Sequence, residues 1–319
     1  MVSQAEYASL MDALAAYRQS DPLLFLKGVA LSESLTEPKL RHLRAEALHA
    51  LAMKLREALR VCDFQNEIVI RPEGVFVQLG GILLDVSHSP QYLKSSGTPA
   101  ANQAEALAGV LRRMNIDVST AVDVGANCGE IALWLAREYP AARIVAVEPS
   151  SHNMRVLELN KAAQEFSTAR LELIREAVGD KAGVAKLTAG TSPMNRLVPG
   201  DRSGETELVT CGRLDDLFDR HGIDAADFVK IDIEGSEPAL RDAVSALRDR
   251  VRSYYIEFSQ FAPIADYMAL ADTLLSQGFA CFDEPASNSL RNIVEIEQHV
   301  RHAFAPGPIA VTNLWFVGR

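Results

Sequence analysis

The first hundred residues change from helical to extended periodicity. Residues 3–19 place apolar side chains at helical spacing, and residues 37–60 repeat leucine along the stripe of a long amphipathic helix. Residues 67–87 alternate short β-type runs with turn residues, which predicts a small meander. Residues 87–99 are rich in turn formers and are predicted to form a loop or lid. We therefore expect a helical and small β extension over residues 1–98.

From about residue 100, short apolar runs alternate with helical segments. The runs TAVDV, RIVAVEP, FVKIDIEG and SYYIEFS are predicted strands, with FACFDE and NLWFVG as the last ones. Segments such as EIALWLAREYP and IADYMALADTLLSQG are predicted helices between them. Such alternation predicts an α/β fold, with a mostly parallel, Rossmann-like doubly wound sheet and helices on both faces, over residues 99–319.

Composition narrows the classes of protein that this chain can be. It has 319 residues, 48% of them hydrophobic, and a formal charge of −10, which disfavours nucleic acid and anionic membranes as partners. Its four cysteines are scattered and predict neither a disulfide framework nor a zinc site. We find no signal-peptide pattern and no apolar run long enough to span a membrane. We therefore expect a cytoplasmic protein.

The stretch AVDVGANCGE, residues 121–130, has the features of a ligand-binding turn. Gly125 would permit a tight turn and let the backbone approach a ligand, and Gly129 would start a helix close against the strand. Asp123 and Asn127 add polar groups beside the turn. Ligands of open α/β sheets bind beyond the carboxyl ends of the strands, where this turn is expected.

Glu148 ends the next predicted strand, 25 residues after Asp123. A carboxylate there can accept hydrogen bonds from both hydroxyls of a ribose, which indicates a nucleoside-containing cofactor. A dinucleotide site would read G-x-G-x-x-G, but Asn127 replaces the middle glycine. S-adenosylmethionine has no phosphate, so an acidic strand end, one glycine turn and a polar Asn suit it better.

Four segments, in order, resemble the FkbM family of S-adenosylmethionine-dependent methyltransferases. They are VDVGANCGEIALWLA, AVEPSSHNMRVLELN, REAVGD and FVKIDIEGSEPALRDA, within roughly residues 120–260. The resemblance implies a fold of class I methyltransferase type. It does not extend to residues 1 to about 95, where no motif matches. At Gln164 many family members have an Asn, and we expect this difference to change only helix packing.

The resemblance also implies roles for individual residues. Those assigned to the methionine part of the cofactor are Asp123, Gly125, Asn127 and Gly129. Glu148 would hold the ribose, Pro149 would shape the following loop, Ala177 and Val178 would border the adenine, and Asp232 would lie close to the sulfonium.

The acids of KIDIEGSE and YYIEF are the candidate catalytic groups. A hydroxyl is a poor nucleophile at neutral pH, so a general base would help methyl transfer, and Asp232, Glu234 and Glu257 are the candidates. Asp232 and Glu234 would share one side if the strand continued through both. Glu237 could serve only the following helix, and Lys230 could either neutralise these acids or touch substrate. Clustered carboxylates could also bind Mg²⁺, but the ligands are few and no histidine joins them, so we expect no metal.

Together these features favour an S-adenosylmethionine-dependent O-methyltransferase. The family resemblance points to a small hydroxylated acceptor, sugar-like and from natural-product biosynthesis. Two alternatives stay open at this point: a nicotinamide-dependent oxidoreductase on the same fold, and a non-catalytic interaction module. The N-terminal helices are expected to pack as a cap or to form a homodimer.

Overall fold

The computed structural model describes residues 67–71, 74–79, 81–85, 107–188, 197, 206–284, 288–304 and 310–318. The chain divides into two compact units. One combines Met1–Gln103 with Glu158–Gln164, and the other combines Ala104–Leu157 with Glu165–Arg319. The predicted N-terminal helices and the lid at 87–99 lie outside the described residues.

The described part of the first unit contains an antiparallel sheet of three strands. Its strands are β1 (Glu67–Arg71), β2 (Gly74–Leu79) and β3 (Ile82–Asp85), which confirms the predicted meander. Phe76 and Leu83 are buried in a small apolar cluster with Ala163.

Side-chain amides extend the hydrogen bonding of β3. Gln164 accepts from the Leu83 N–H at 3.0 Å and donates to the Leu83 carbonyl at 2.8 Å, as a paired strand would. The Asn160 side chain accepts from the Asp85 N–H at 2.6 Å. Gln164 therefore does more than alter helix packing, because it pairs with a strand backbone within this unit.

The second unit is built on a sheet of eight strands. Five neighbouring strands pair in parallel, in the order β11 (Ser253–Ser259), β10 (Phe228–Ile231), β4 (Thr120–Val124), β5 (Arg143–Val147) and β6 (Leu171–Ile174). At one side β14 (Val311–Val317), β12 (Ala280–Phe282) and β13 (Ser289–Leu290) continue the sheet in antiparallel pairing.

The strand order β13-β12-β14-β11-β10-β4-β5-β6 reverses direction between β4 and β10. The central strands are almost wholly buried, as continuous apolar runs such as TAVDV and FVKI require in a sheet covered on both faces. A reversal of strand order opens a crevice at the carboxyl ends, where ligands of such sheets bind. The predicted Rossmann-like doubly wound α/β fold is confirmed.

Helices connect these strands. They are α1 (Glu130–Glu138), α2 (Ser151–Ala163), α3 (Leu214–Arg220), α4 (Arg241–Ala246), α5 (Ile264–Ser276) and α6 (Ile293–Ala303), with a 3₁₀ turn Glu237–Leu240 before α4. Residues 107–113 are also helical. Among the described residues, no helix has the length and apolar character needed to cross a membrane.

A separate three-stranded sheet was missed by the pattern analysis. Its strands β7 (Ala177–Val178), β8 (Gly183–Thr188) and β9 (Thr206–Gly212) pair in the order β7-β9-β8. Val184 and Leu208 remain 74% and 68% exposed, so these strands lack the buried apolar runs that revealed the central sheet. Their charged and threonine-rich sequences explain why the pattern did not identify them.

We expected the whole segment FVKIDIEG to form a strand, but the strand ends before the segment does. Strand β10 ends at Ile231, and Glu234 adopts a left-handed backbone with φ 57°. Asp232 and Glu234 therefore do not share one face through strand alternation. Glu257 lies inside β11, two residues before the strand ends at Ser259, and not at its end.

Candidate functional site

The turn after β4 is tied to the neighbouring strand by its backbone. Gly125 and Ala126 both donate N–H hydrogen bonds to the Val147 carbonyl, at 2.9 and 3.0 Å. Gly125, Asn127 and Gly129 all have positive φ, at 80°, 50° and 89°. The turn is therefore a fixed loop that delivers the chain into α1 at the switch point.

Gly125 and Gly129 adopt the positive φ that the predicted tight turn and helix start require, and close packing adds a second requirement at each position. A Cβ on Gly125 would clash with the Asp232 carbonyl, so the close approach is to the protein's own backbone. A Cβ on Gly129 would clash with the Leu157 side chain on α2, and not with a strand. Both glycines hold neighbouring elements together at short range, and the shape of the turn follows from that packing.

Glu148 is a buried acid that already has protein donors. It is 4% exposed and accepts from the Asn127 N–H at 2.9 Å, the Ser150 N–H at 3.0 Å and the Asn153 side chain at 3.4 Å. Burial raises the pKa of Glu148, and the N–H groups of Ser150 and Asn127 counteract that rise. Two carboxylate oxygens offer about four lone-pair sites. Glu148 therefore keeps acceptor capacity for a ribose hydroxyl, although less than a carboxylate without protein donors would have.

Lys230 is the cation around which the acids of the site collect. Its ammonium is 3.3 Å from Asp123 Oδ1 and 3.1 Å from Asp232 Oδ2, and it donates to the Gly125 carbonyl at 3.4 Å. Burial alone would lower the pKa of Lys230, but the attraction of Asp123 and Asp232 raises it above its ordinary value. The lysine is thus held in its charged form, and its neutralising role is the one that the contacts show.

This single lysine serves more carboxyl groups than it can neutralise. It interacts electrostatically with Asp123, Glu130, Glu148, Asp232 and Glu257. Burial raises the pKa of Asp123, and it raises the pKa of Glu130 to about 7, with Lys230 opposing both shifts. The described surroundings of the turn therefore hold more carboxyl groups than the one lysine can pair with.

Glu237 fixes the loop that follows β10. It is fully buried and accepts from the N–H groups of Ile233 at 2.7 Å and Gly235 at 3.0 Å, and from the Tyr267 hydroxyl at 2.9 Å. Burial raises the pKa of Glu237 to about 7, and the hydrogen bonds from Ile233 and Tyr267 oppose the shift. Glu237 thus anchors the loop after β10 and does not serve only the following helix.

The three predicted catalytic acids are brought together by this loop. Carboxylate oxygens of Asp232, Glu234 and Glu257 lie within 4.8 Å of one another, and all three residues are half-buried. Burial raises the pKa of Glu257 well above its ordinary value, and the nearby charges of Asp232 and Glu234 raise it further. The cluster has the oxygen chemistry to bind a divalent cation as well as to accept a proton.

A cavity of about 1120 Å³ opens beside this cluster. Glu234 and Gly235 line it together with the β7–β8 connection, the start of α4 and the residues after β11. Polar groups on its wall include Asp180, Lys181, Ser236, Arg241, Asp242 and Gln260, and Phe261 contributes an aromatic ring. The cavity is large enough for a small-molecule ligand, and Glu234 joins it to the acidic cluster.

The remaining predicted residues lie in less open positions. Ala177 and Val178 form β7 and are 2% and 3% exposed, packed with their sheet and with the main core, while Pro149 is half-buried after β5. Sequence reasoning missed Glu130. Its position directly after Gly129 was visible, but its burial beside Lys230 depends on how β10 packs against β4.

Comparison with known protein families agrees with this geometry. Residues 123–281 match the sequence profile described as the methyltransferase FkbM domain, and they include the glycine turn, Lys230, the acidic cluster and Glu237. Residues 123–281 belong to the FkbM methyltransferase family. The matched FkbM domain begins at Asp123 and ends in β12, so it covers the crevice on both sides of the switch point. No curated protein matches the chain.

Several solved methyltransferases are similar to this chain at low sequence identity. The plantazolicin methyltransferase BpumL, solved with a desmethyl substrate analogue and S-adenosylhomocysteine, is 10% identical over 73% of this chain and 90% of its own, with a TM-score of 0.39. The N-terminal domain of EvdMO1 with S-adenosylhomocysteine bound is 12% identical over 70% and 86%, with a TM-score of 0.39. Precorrin-6y C5,15-methyltransferase from Geobacter metallireducens is 12% identical over 68% and 87%, with a TM-score of 0.38.

Proposed function

We propose that this protein is an S-adenosylmethionine-dependent O-methyltransferase that acts on a hydroxyl group of a small, sugar-like acceptor. The methyltransferase class follows from the FkbM domain. The observation that carries the finer proposal is the acid-rich crevice around Lys230, which joins the glycine turn to the cluster of Asp232, Glu234 and Glu257.

The charge of this crevice supports S-adenosylmethionine over a dinucleotide. Buried carboxyl groups outnumber the one lysine that they share, so a cationic ligand would be favoured there. S-adenosylmethionine carries an ammonium and a sulfonium, whereas the pyrophosphate of NAD would add negative charge. The residues present thus fit the methyl donor and oppose the nicotinamide alternative.

Several residues would hold the cofactor. The turn Asp123–Gly129 would enclose the methionine portion, Glu148 would accept from the ribose, Pro149 would shape the adjacent loop, and Ala177 and Val178 would border the adenine. When bound, S-adenosylmethionine supplies an electrophilic methyl group. Asp232, paired with Lys230 at 3.1 Å, would contribute negative charge next to the sulfonium.

Glu234 is the carboxylate that we assign to proton removal from the acceptor. Glu257 has a pKa raised by burial and by its acidic neighbours, so it holds its proton at neutral pH and is a poor candidate for the base. Asp232 is paired with Lys230. Glu234 lines both the cluster and the cavity, and it can therefore accept the hydroxyl proton while the acceptor is held in place.

The cavity beside Glu234 is our proposed acceptor site. Its wall combines acids, bases and amides with the Phe261 ring, a mixture that suits a ligand with several hydroxyl groups and a weakly polar ring face. Its volume of about 1120 Å³ exceeds what a single monosaccharide needs, which agrees with a glycosylated natural product. Arg241 and Asp242 lie at the wall and would select among such acceptors.

Binding measurements test the cofactor first. Isothermal titration should show binding of S-adenosylmethionine and S-adenosylhomocysteine, and none of NAD. Transfer of a labelled methyl group to a panel of sugars and glycosides then identifies an acceptor. Binding of NAD without S-adenosylhomocysteine would reject the proposal.

Single-turnover rates test the base. Glu234→Gln should slow transfer by about 10²–10⁴-fold with cofactor affinity unchanged, whereas Glu257→Gln should have the smaller effect at neutral pH. If both variants match the wild type, positioning alone accounts for transfer. Activity that is lost with EDTA and restored by Mg²⁺ would instead assign the acidic cluster to a metal.

We also propose that the protein acts in the cytoplasm and that its N-terminal helices either cap the acceptor site or form a homodimer. These helices lie outside the described residues. Sedimentation of the full chain, with and without S-adenosylhomocysteine, separates a monomer from a dimer.

A further inference from the structure

The Tyr267 hydroxyl lies between the two segments that carry the acids of the site. Tyr267 is fully buried on α5, and its hydroxyl donates to Glu237 at 2.9 Å. The same oxygen accepts from the Ser259 N–H at 3.2 Å, and the Ser259 Oγ also lies 3.2 Å from it. A hydroxyl has one proton to donate, and here Glu237 receives it. Both contacts from Ser259 are therefore made to the lone pairs of the Tyr267 oxygen.

The two partners of this hydroxyl belong to different parts of the site. Glu237 holds the loop after β10 by accepting from the backbone N–H groups on either side of Glu234. Ser259 is the last residue of β11 and lies two positions after Glu257. The hydroxyl of Tyr267 thus joins the loop that carries Glu234 to the strand that carries Glu257.

The core of the second unit holds the Tyr267 ring in place. The ring stacks on Phe258 of β11 with 4.7 Å between the ring centroids, and both residues belong to the main apolar cluster. A Cβ on Gly235 would clash with Phe261, so the loop after β10 also packs closely against the chain that follows β11. Close packing transmits small displacements. A change at the Tyr267 hydroxyl is therefore expected to displace both segments.

We propose that Tyr267 is a positioning residue, which fixes the Glu234 carboxylate relative to Glu257 and to the acceptor hydroxyl. This inference rests on the proposed role of Glu234 in proton removal. A base must lie within hydrogen-bond reach of the proton that it takes. Misplacement of a reacting group by about 1 Å can slow a reaction by about 10²-fold. Tyr267 is buried behind the loop, so it acts through Glu237 and Ser259.

Single-turnover transfer in Tyr267→Phe tests this role. The substitution keeps the ring and its stacking on Phe258, and it removes only the hydroxyl. We expect transfer to be about tenfold slower or more, with the affinity for S-adenosylhomocysteine changed by about twofold or less. In Glu234→Gln, where no base is left to position, the same substitution should change the rate by about twofold or less, because residues that act together are not additive. Equal slowing in both backgrounds would show that Tyr267 supports the fold without positioning Glu234, and would overturn the inference.

Tyr254→Phe is the matched control for the loss of a buried tyrosine hydroxyl. Tyr254 is fully buried on β11, and its hydroxyl has no hydrogen-bond partner in the described part of the chain. Transfer should therefore be unchanged in this variant. Ser259→Ala removes the partner hydroxyl and leaves the Tyr267 ring intact, so it carries the test if Tyr267→Phe does not fold. It should also slow transfer, but by less, because the Ser259 N–H still donates to Tyr267.

Amide hydrogen exchange tests the contact without any acceptor. The Ile233 and Gly235 N–H groups should exchange about tenfold faster or more in Tyr267→Phe than in the wild type and in Tyr254→Phe, because Glu237 loses its contact with α5. Unchanged protection of these amides, or an unchanged rate of transfer, would overturn the inference. A wild-type protein that transfers no methyl group to any acceptor would reject the proposed function, and the positioning role with it.

Discussion

Two loops with similar sequences flank the switch point, and the structure uses them differently. Asp123 is the second-last residue of β4 and Asp232 directly follows β10. Each of the loops that follow these strands contains a glycine at positive φ and one other residue in the left-handed region, Asn127 or Glu234. In the first turn the backbone hydrogen-bonds to Val147 and Glu148, and Asp123 is fully buried. In the second, Glu237 holds the backbone, and Asp232 and Glu234 stay half-buried.

This difference shows that an acid at a strand end has no role until its neighbours are known. Asp123 and Asp232 bond to the same lysine from adjacent strands, yet only Asp232 reaches the open edge. Glu237 gives its hydrogen-bonding capacity to the chain, while Glu234 lines a cavity. The first loop is held rigidly by backbone hydrogen bonds, whereas the second leaves the carboxylates of Asp232 and Glu234 accessible.

The largest effect is expected from breaking the contact between the two loops. Gly125→Ala places a methyl group against the Asp232 carbonyl and forces a residue with φ 80°, so it should lower the free energy of unfolding by about 3–5 kcal/mol. Chemical denaturation measures this change. The sequence indicated a glycine that lets the backbone approach a ligand, and the contact with the Asp232 carbonyl adds a cost to the fold.

Gly278→Ala is the matched control for backbone strain. Gly278 has φ 93°, and a Cβ there would meet nothing within 4 Å. Its substitution should cost only the left-handed strain of about 1–2 kcal/mol. An equal loss in both variants would mean that the contact between Gly125 and Asp232 contributes nothing.

The second-largest effect concerns the acid that anchors the β10 loop. Glu237→Ala leaves the Ile233 and Gly235 N–H groups and the Tyr267 hydroxyl without their acceptor, and should cost about 2–4 kcal/mol of unfolding free energy. Glu234→Ala, in the same loop, should lower activity and cost less than about 1 kcal/mol, as surface changes do. Thermal unfolding of both variants tests this order. A larger loss of stability in Glu234→Ala than in Glu237→Ala would contradict the different roles given to the two acids.

A smaller effect tests the first loop as a cofactor site. Glu148→Ala should weaken binding of S-adenosylhomocysteine by about 1–3 kcal/mol, the usual cost of unpairing polar groups. Glu148 also accepts from Asn127 and Ser150, so calorimetry of binding must be paired with a denaturation curve. A folded variant with wild-type affinity would remove Glu148 from the ribose role.

The smallest effect is a pH dependence of stability from Glu130. Burial raises its folded pKa from the ordinary 4.5 to about 7, so its contribution to stability is present below about pH 4.5 and is lost as pH rises through about 7. Glu130→Gln should therefore be more stable than the wild type above pH 7, by about 1–2 kcal/mol after allowing for partial exposure. Urea denaturation at pH 5 and pH 8 measures it; equal differences at both would contradict the assignment.

The central fold was predictable because its information is local. Strands β4, β5, β10 and β11 are apolar runs, and helices such as α1 and α5 keep a helical period. The three-stranded sheet β7-β9-β8 was not predicted, because long-range pairing forms it and its outer face remains exposed. The end of β10 at Ile231 was also missed, because the contacts of Glu237 decide it and not strand propensity.

The sequence by itself determined the doubly wound sheet, the glycine turn between β4 and α1, and the acids near the carboxyl ends of the strands. These follow from periodicity and from residue types that only certain backbones accept. Tertiary structure decided which acids remain available, because burial and hydrogen bonds depend on residues distant in the chain. It made Glu237 the anchor of the loop after β10 and paired Lys230 with Asp123. It also buried Oε1 of Glu130 beside the glycine turn.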